Sequence, residues 1–275
     1  MEGSFMQRHK TSWVLVLNGT SSVGKTTLAK EYIAKFDSKI ALLQIDAEVI
    51  PVFVEELSDV NQQYNSSTDF WVWFEHLPKE TKDRVLAKED ALFKEACRRM
   101  IEHAKNLNRS GINVIIDTVL FEYEGESYNF FKTAFEKIPT FFVLTYAPLD
   151  VLLKNVKKRN IAFSVAEKRS FLDPFFLFFA HVFRKCALTA SEKLDVLTKA
   201  QFETLCVQLE DLIDNTEKER LQKLKTIVAQ QFFGPKDEAV GIAAKYAYDF
   251  IVNTGEKNLS ECSNSLHEWL ESHKK

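Results

Sequence analysis

Apolar residues along this chain gather in short unbroken runs rather than alternating with polar ones, which is the pattern of strands buried on both faces of a sheet. Trp13-Val14-Leu15-Val16-Leu17-Asn18 is the first run. Ile40-Ala41-Leu42-Leu43-Gln44-Ile45, Ile112-Asn113-Val114-Ile115-Ile116-Asp117 and Phe141 to Ala147 follow it. Between the runs the period lengthens to that of a helix, over Thr27 to Phe36, Asp90 to Asn108 and Tyr128 to Lys137. In Asp90 to Asn108 the apolar side carries Leu92, Phe93, Ala96, Met100, Ile101 and Ala104, with Arg98, Arg99 and Lys105 outside, and Ser110-Gly111 ends the helix. Tyr246 to Thr254 reads as a further strand, with turn chemistry at Asn253-Thr254-Gly255, and Leu259 to Ser272 as a closing amphipathic helix. This alternation predicts an α/β fold of three layers around about five parallel strands.

Two segments break the rhythm. Residues 51 to 85 read irregularly, with a polar stretch from Asn61 to Thr68 and then the aromatic cluster Phe70-Trp71-Val72-Trp73-Phe74. That cluster reads either as the wall of an acceptor pocket or as a core patch under a loop. Residues 161 to about 240 read as helices and include Phe171 to Phe183, the most apolar stretch of the chain. It is too short to span a bilayer, so it reads as the core of a helical subdomain, with a partner-binding or membrane-contacting face as the alternatives and His181 as a core histidine. The expected organisation is a core over 12–160, a helical insertion near the lid over 161–240, and a return strand with its helix over 241–275.

The loop after the first strand carries the chemistry. Gly19-Thr20-Ser21-Ser22-Val23-Gly24-Lys25-Thr26 has the spacing of a phosphate-binding P-loop, and it stands between a predicted strand and a predicted helix that begins at Thr27. Gly19 and Gly24 let the backbone turn close to a triphosphate, so that successive N–H groups form an anion nest at a helix N-terminus. Lys25 would reach the β- and γ-phosphate oxygens, and the Thr26 hydroxyl would ligate the Mg²⁺ that bridges them. The fold is therefore expected to be a P-loop NTPase or kinase fold with a parallel sheet and a helical insertion.

Two strand-end carboxylates fall where such a site needs them. Asp117 closes an apolar strand in the manner of a Walker B carboxylate and would hold Mg²⁺ opposite Thr26, directly or through water. Asp46 ends the second strand and reads as a general base for an acceptor hydroxyl, or as a cap of the helix suggested by Ala47 to Ile50. Pro148-Leu149-Asp150 opens a helix whose run Lys154, Lys157, Lys158 and Arg159 is either a lid over the transferring phosphate or a solvated face. Arg159 is the candidate phosphate contact.

Composition narrows the surroundings. A net charge of −3 over 275 residues gives no electrostatic footprint for nucleic acid. Cys97, Cys186, Cys206 and Cys262 form no ligand-spaced pair and read as buried free thiols in a reducing, cytoplasmic setting. The first eleven residues lack the apolar core of a signal peptide, and no run is long enough for a transmembrane helix.

With these pieces placed, the chain resembles the chloramphenicol phosphotransferase-like group of P-loop kinases. The similar residues are Leu17 to Thr26, the strand leading to Asp46, Val114-Ile115-Ile116-Asp117, and Tyr248-Asp249-Phe250-Ile251-Val252-Asn253-Thr254 followed by Glu261-Cys262. The resemblance implies ATP as phosphoryl donor, the Asp46 position as base toward the acceptor, and basic residues after the fourth strand on the phosphates. The family has a second acidic residue where this chain has Thr118, and it does not account for the helical insertion. The expected activity is transfer of the γ-phosphoryl group of ATP, with Mg²⁺, to a hydroxyl of a small molecule or a protein. A nucleotide or nucleoside kinase, and a nucleotide-driven switch protein whose insertion binds a partner or a second copy, are the rival expectations.

Overall fold

In the computed structural model the described residues are 12–155, apart from 20–21, 38, 61–63, 66–69, 121–125, 148–150 and 152–153, together with 203, 207 and 248–274. Apart from Glu203 and Val207, the expected helical insertion, with Phe171 to Phe183, His181 and Cys186, lies outside them, as do the basic residues Lys157, Lys158 and Arg159.

Strands β1 (Val14–Asn18), β2 (Ala41–Gln44), β3 (Val114–Thr118), β4 (Thr140–Tyr146) and β5 (Phe250–Asn253) form one sheet in the order β2-β3-β1-β4-β5. Every pairing is parallel. The apolar runs follow from this, because successive side chains of a parallel strand enter two different cores. Val14, Val16, Val114, Ile116 and Phe142 face one way, while Leu15, Leu17, Ile115, Val143 and Val252 face the other.

The second face is covered by α1 (Lys25–Phe36), through Leu28, Ala29 and Tyr32, and by the C-terminal helix, Leu259–His273. Helix α7 (Leu259–His273) starts in a capping box: Asn258 Oδ1 accepts from the Glu261 N–H at 2.9 Å, and Glu261 Oε2 accepts from the Asn258 N–H at 3.0 Å. Its Leu266 and Leu270 are fully buried, and His267 stacks on Phe36 of α1 with ring centroids 3.9 Å apart. The buried thiol of Cys262 donates toward the Asn253 carbonyl at 3.4 Å and ties α7 to β5, and burial pushes its pKa up.

The first face is covered by α2 (Ile45–Glu56), α5 (Glu89–Arg109) and α6 (Glu126–Ala134), with α3 (Phe70–Glu75) and α4 (Lys79–Leu86) beside them. Here the sequence reading needs correction. Among the described residues of 51–85, most belong to α2, α3 and α4, and α2 continues through Pro51. Proline removes one backbone donor from the helix, but Val49, Val52 and Phe53 are buried on the same side, and that packing outweighs the break. The aromatic cluster is core: Phe70, Trp73 and Phe74 are buried against Phe53 and Tyr64, with ring centroids 5.4 to 6.4 Å apart. Smaller shifts occur at element ends, where β2 stops at Gln44 and α6 stops at Ala134. Among the described residues no helix is long and apolar enough to cross a membrane.

Helix α2 is pinned to α5 by charge. Arg99 donates to both Glu55 carboxylate oxygens, at 2.7 and 2.6 Å, and to Glu95 at 2.9 Å, while Arg98 also grips Glu95 at 2.8 Å. The two guanidiniums hold the Glu95 carboxyl down to about 2, and Arg99 holds that of Glu55 below its usual value. Depressed carboxylate pKa values stabilise the fold above the unfolded-state value of about 4.3, and that contribution is lost as pH falls through the folded-state value. The pairs are solvent-screened, so Glu95→Gln is expected to lower the melting temperature slightly near neutral pH and progressively less as pH falls from about 4 toward 2, with the difference shrinking in high salt. Thermal denaturation across pH checks this. Leu266→Ala, which empties a fully buried position between α7 and the sheet, is expected to cost about 2–5 kcal/mol in denaturant unfolding.

Candidate active site

The sheet order fixes where a ligand can bind. Chain leaves β1 toward β2 on one side and leaves β4 toward β5 on the other, so a crevice opens at the carboxyl ends of these two neighbouring strands. The loop that begins at Gly19 lies there. It can do so because residue 19 has no side chain: a Cβ on Gly19 would lie 2.3 Å from the Thr145 carbonyl oxygen of β4. Ser22 and Gly24 take positive φ, 64° and 98°, and Gly24 is the N-cap of α1. This is the tight left-handed turn that aims backbone N–H groups into a shared concavity.

Lys25 opens α1 but is buried, with Nζ donating to the Gly19 carbonyl at 2.8 Å and lying 3.8 Å from Asp117 Oδ1. The Thr26 hydroxyl donates a short hydrogen bond to Asp117 Oδ2. Asp117 reaches both because β3 pairs with β1 in a register that sets Leu17 opposite Asp117 and Asn18 opposite Thr118. The sequence-predicted trio Lys25, Thr26 and Asp117 is thus one cluster of side chains. Thr20 and Ser21 lie outside the described residues, Val23 turns its side chain into the core, and Thr27 is exposed on the first turn of α1.

Asp46 is placed differently from the expectation. It does not end β2, and it is not a cap: Gln44 holds the N-cap position and Asp46 is the second residue of α2, exposed to solvent. The apolar Ile45 that made the strand look longer is the first helical residue, buried in the core between α2 and the sheet. Gln44, the last residue of β2, pairs with Asp117 of β3, so Asp46, two residues further on in α2, still stands near the carboxyl edge of the sheet.

Four residues of the site gave no local sequence signal for their role. Asn18 is fully buried and uses its whole amide. Its Oδ1 accepts from the Gly19 N–H at 3.0 Å and the Leu120 N–H at 2.8 Å, while its Nδ2 donates to the Tyr248 hydroxyl at 2.7 Å and the Leu120 carbonyl at 3.4 Å. Asn155 Nδ2 donates to the Ser22 carbonyl at 3.2 Å, and the Thr254 hydroxyl to that of Val23 at 2.6 Å. Asn18, Tyr248 and Thr254 enter the sequence reading as strand or turn residues and among those that carry the family resemblance, with no contact assigned to them.

The family comparison agrees with this geometry. The family described as chloramphenicol phosphotransferase-like protein matches residues 12–162, more than half of the chain. The chain belongs to the chloramphenicol phosphotransferase-like family. As a member it is a kinase-type P-loop phosphotransferase. Solved structures similar to it include a putative kinase from Chloroflexus aurantiacus, with 13% identity, 96% of this chain and 98% of that one covered, and a TM-score of 0.43. Shikimate kinase from Bacteroides thetaiotaomicron shows 14% identity, 94% and 98% coverage and a TM-score of 0.43. An APS kinase from Mycobacterium tuberculosis, in complex with AMPPNP and APS, shows 12% identity, 95% and 98% coverage and a TM-score of 0.41. At these TM-scores the likenesses carry no argument. No curated protein matches the chain.

Thr118, where the family has an acidic residue, is fully buried with its hydroxyl unpartnered. The two P-loop glycines differ in what they tolerate. Gly19→Ala drives a methyl into a backbone carbonyl and is expected to destabilise by about 1–3 kcal/mol or more. Gly24→Ala has 3.8 Å of room and meets only its left-handed backbone, for about 1–2 kcal/mol. Urea unfolding of the two variants is expected to rank Gly19→Ala as the more damaging.

Proposed function

We propose that this chain transfers the γ-phosphoryl group of ATP to a hydroxyl of a small-molecule acceptor. The observation that carries the reading is the cluster of buried Lys25 and Asp117 with half-buried Thr26, against a P-loop whose backbone includes two left-handed residues. The loop amides and Lys25 bind the β- and γ-phosphates and stabilise the charge that develops between them. The orphaned, buried Ser22 hydroxyl and the turn at Gly24 suit an anionic ligand.

Thr26 and Asp117 supply hard oxygen donors of the kind Mg²⁺ takes, and among the described residues there is no group of three or more His, Cys, Asp or Glu that could hold a metal. When bound, Mg²⁺ neutralises phosphate charge.

Asp46 takes the proton from the acceptor hydroxyl as its oxygen bonds to the γ-phosphorus and the bond from that phosphorus to the β,γ-bridging oxygen breaks, releasing ADP. Its exposed place on the first turn of α2 leaves it accessible to an acceptor. Arg159, in the basic run after β4, is assigned to the transferring phosphate. In this reading residues 12–160 and 241–275 form the catalytic core and 161–240 a helical insertion near the lid, consistent with the pairing of β4 and β5 across that interval. Cys97 and Cys262 are buried and not disulfide-bonded, which suits a reducing, cytoplasmic compartment.

The test is to incubate the full chain with Mg·ATP and a metabolite extract and to identify by mass spectrometry every species that gains phosphate. A metabolite that gains phosphate with the parent chain is expected to do so at least about 10²-fold more slowly with Lys25→Ala and with Asp46→Asn. Asp46→Asn is expected to keep nucleotide binding. Absence of any phosphorylated species while ATP still binds would reject the transferase reading.

A further inference from the structure

The P-loop is held at both ends by the segment that returns to the sheet at β5. At its root the Tyr248 hydroxyl accepts from Asn18 Nδ2 at 2.7 Å, across 230 positions of sequence. Near its far end the Thr254 hydroxyl reaches the Val23 carbonyl at 2.6 Å, across 231 positions. Thr254 is itself anchored, because its N–H donates to the Tyr146 carbonyl at 2.9 Å and its hydroxyl lies 3.1 Å from the same oxygen. The two residues bracket β5, which is locked to β4 in parallel register.

We propose that Tyr248 and Thr254 are positioning residues that aim the phosphate-binding amides of the P-loop. This rests on the phosphate-binding role assigned to that loop. The Val23 carbonyl and the Gly24 N–H belong to one planar peptide unit and point in opposite directions. A peptide flanked by glycine can flip at little steric cost, and a flip here would turn the Gly24 N–H away from the cradle. Thr254 blocks the flip by taking the carbonyl, and its Cβ and Cγ2 lie 3.8 Å from where a Gly24 Cβ would be. Tyr248 acts on the other end. It gives Asn18 Nδ2 a short partner, which keeps Asn18 Oδ1 turned toward the N–H of Gly19 and so fixes the first peptide of the loop. Both residues lie beyond the 12–162 range that the family comparison matches, so the phosphate site of this chain extends outside it.

The experiment titrates the full-length protein with a fluorescent N-methylanthraniloyl-ATP in Mg²⁺ buffer and records the melting temperature of each nucleotide-free variant. Thr254→Val keeps the shape and removes the donor, Thr254→Ser keeps the donor, and Tyr248→Phe removes the other hydroxyl. Thr254→Val and Tyr248→Phe are each expected to weaken nucleotide binding about 3–10-fold per folded molecule, the worth of one hydrogen bond, with Thr254→Ser within about twofold of the parent. A merely structural role would lower the melting temperature and leave the affinity of the folded fraction unchanged, and that result would overturn the proposal. So would equal weakening by Thr254→Ser and Thr254→Val. Should Thr254→Val fail to fold, Tyr248→Phe decides by the same criterion. A parent chain that binds no nucleotide would overturn the phosphate site and the positioning role together, whereas binding by the parent and equally by the variants would overturn the positioning role alone.

Discussion

A missing side chain lets the strand ends meet. Because Gly19 carries no Cβ, the chain leaving β1 passes over the Thr145 carbonyl at the end of β4, closer than any other residue could. That close approach sets the loop into the crevice where the outgoing connections diverge. Lys25 then lies within reach of both the Gly19 carbonyl and Asp117, and Val23 drops into the core that faces α2. Stability and chemistry meet at one backbone contact.

The charges around that contact are arranged before any ligand arrives. A buried ammonium is costly unless compensated, and Lys25 is compensated twice, by a carbonyl dipole and by the Asp117 carboxylate. Asp117 is also hydrogen-bonded to Thr26, so the cluster is internally neutral and geometrically fixed. An anion and a cation arriving together would be received by partners already in place, which is the sense in which phosphoryl-transfer sites work by positioning and electrostatics.

How much of this was readable in the chain depended on the range of the interactions. The strands, the P-loop, α1, α5 and Asp117 were legible because a strand buried on both faces leaves an unbroken apolar run, and a loop that must bend around phosphate leaves glycines at fixed spacing. The start of α2 was suggested by Ala47 to Ile50, but its continuation and helices α3 and α4 were hidden by Pro51 and by the polar stretch after it, since tertiary packing of Val52, Phe53, Phe70 and Phe74 is what holds these helices. Asp46 was misplaced by one structural step, because Ile45 is as apolar as a strand residue and nothing local says that the helix has begun. The contacts of Asn18, Asn155, Tyr248 and Thr254 had no local signature at all.

The parallel pairing of β4 with β5 bears on how the protein is made. While the chain is being synthesised, β1 to β4 are complete long before Phe250–Asn253 exists, and β4 presents an unpaired edge rich in phenylalanine. Such an edge is open to wrong partners until the right one arrives, and the wait is set by the synthesis of about a hundred intervening residues and by the slow closure of a long loop. The same late strand brings Tyr248 and Thr254 to the P-loop. The contacts that hold the P-loop and the protection of the vulnerable edge therefore arrive together, in a single late event in the maturation of the nascent chain.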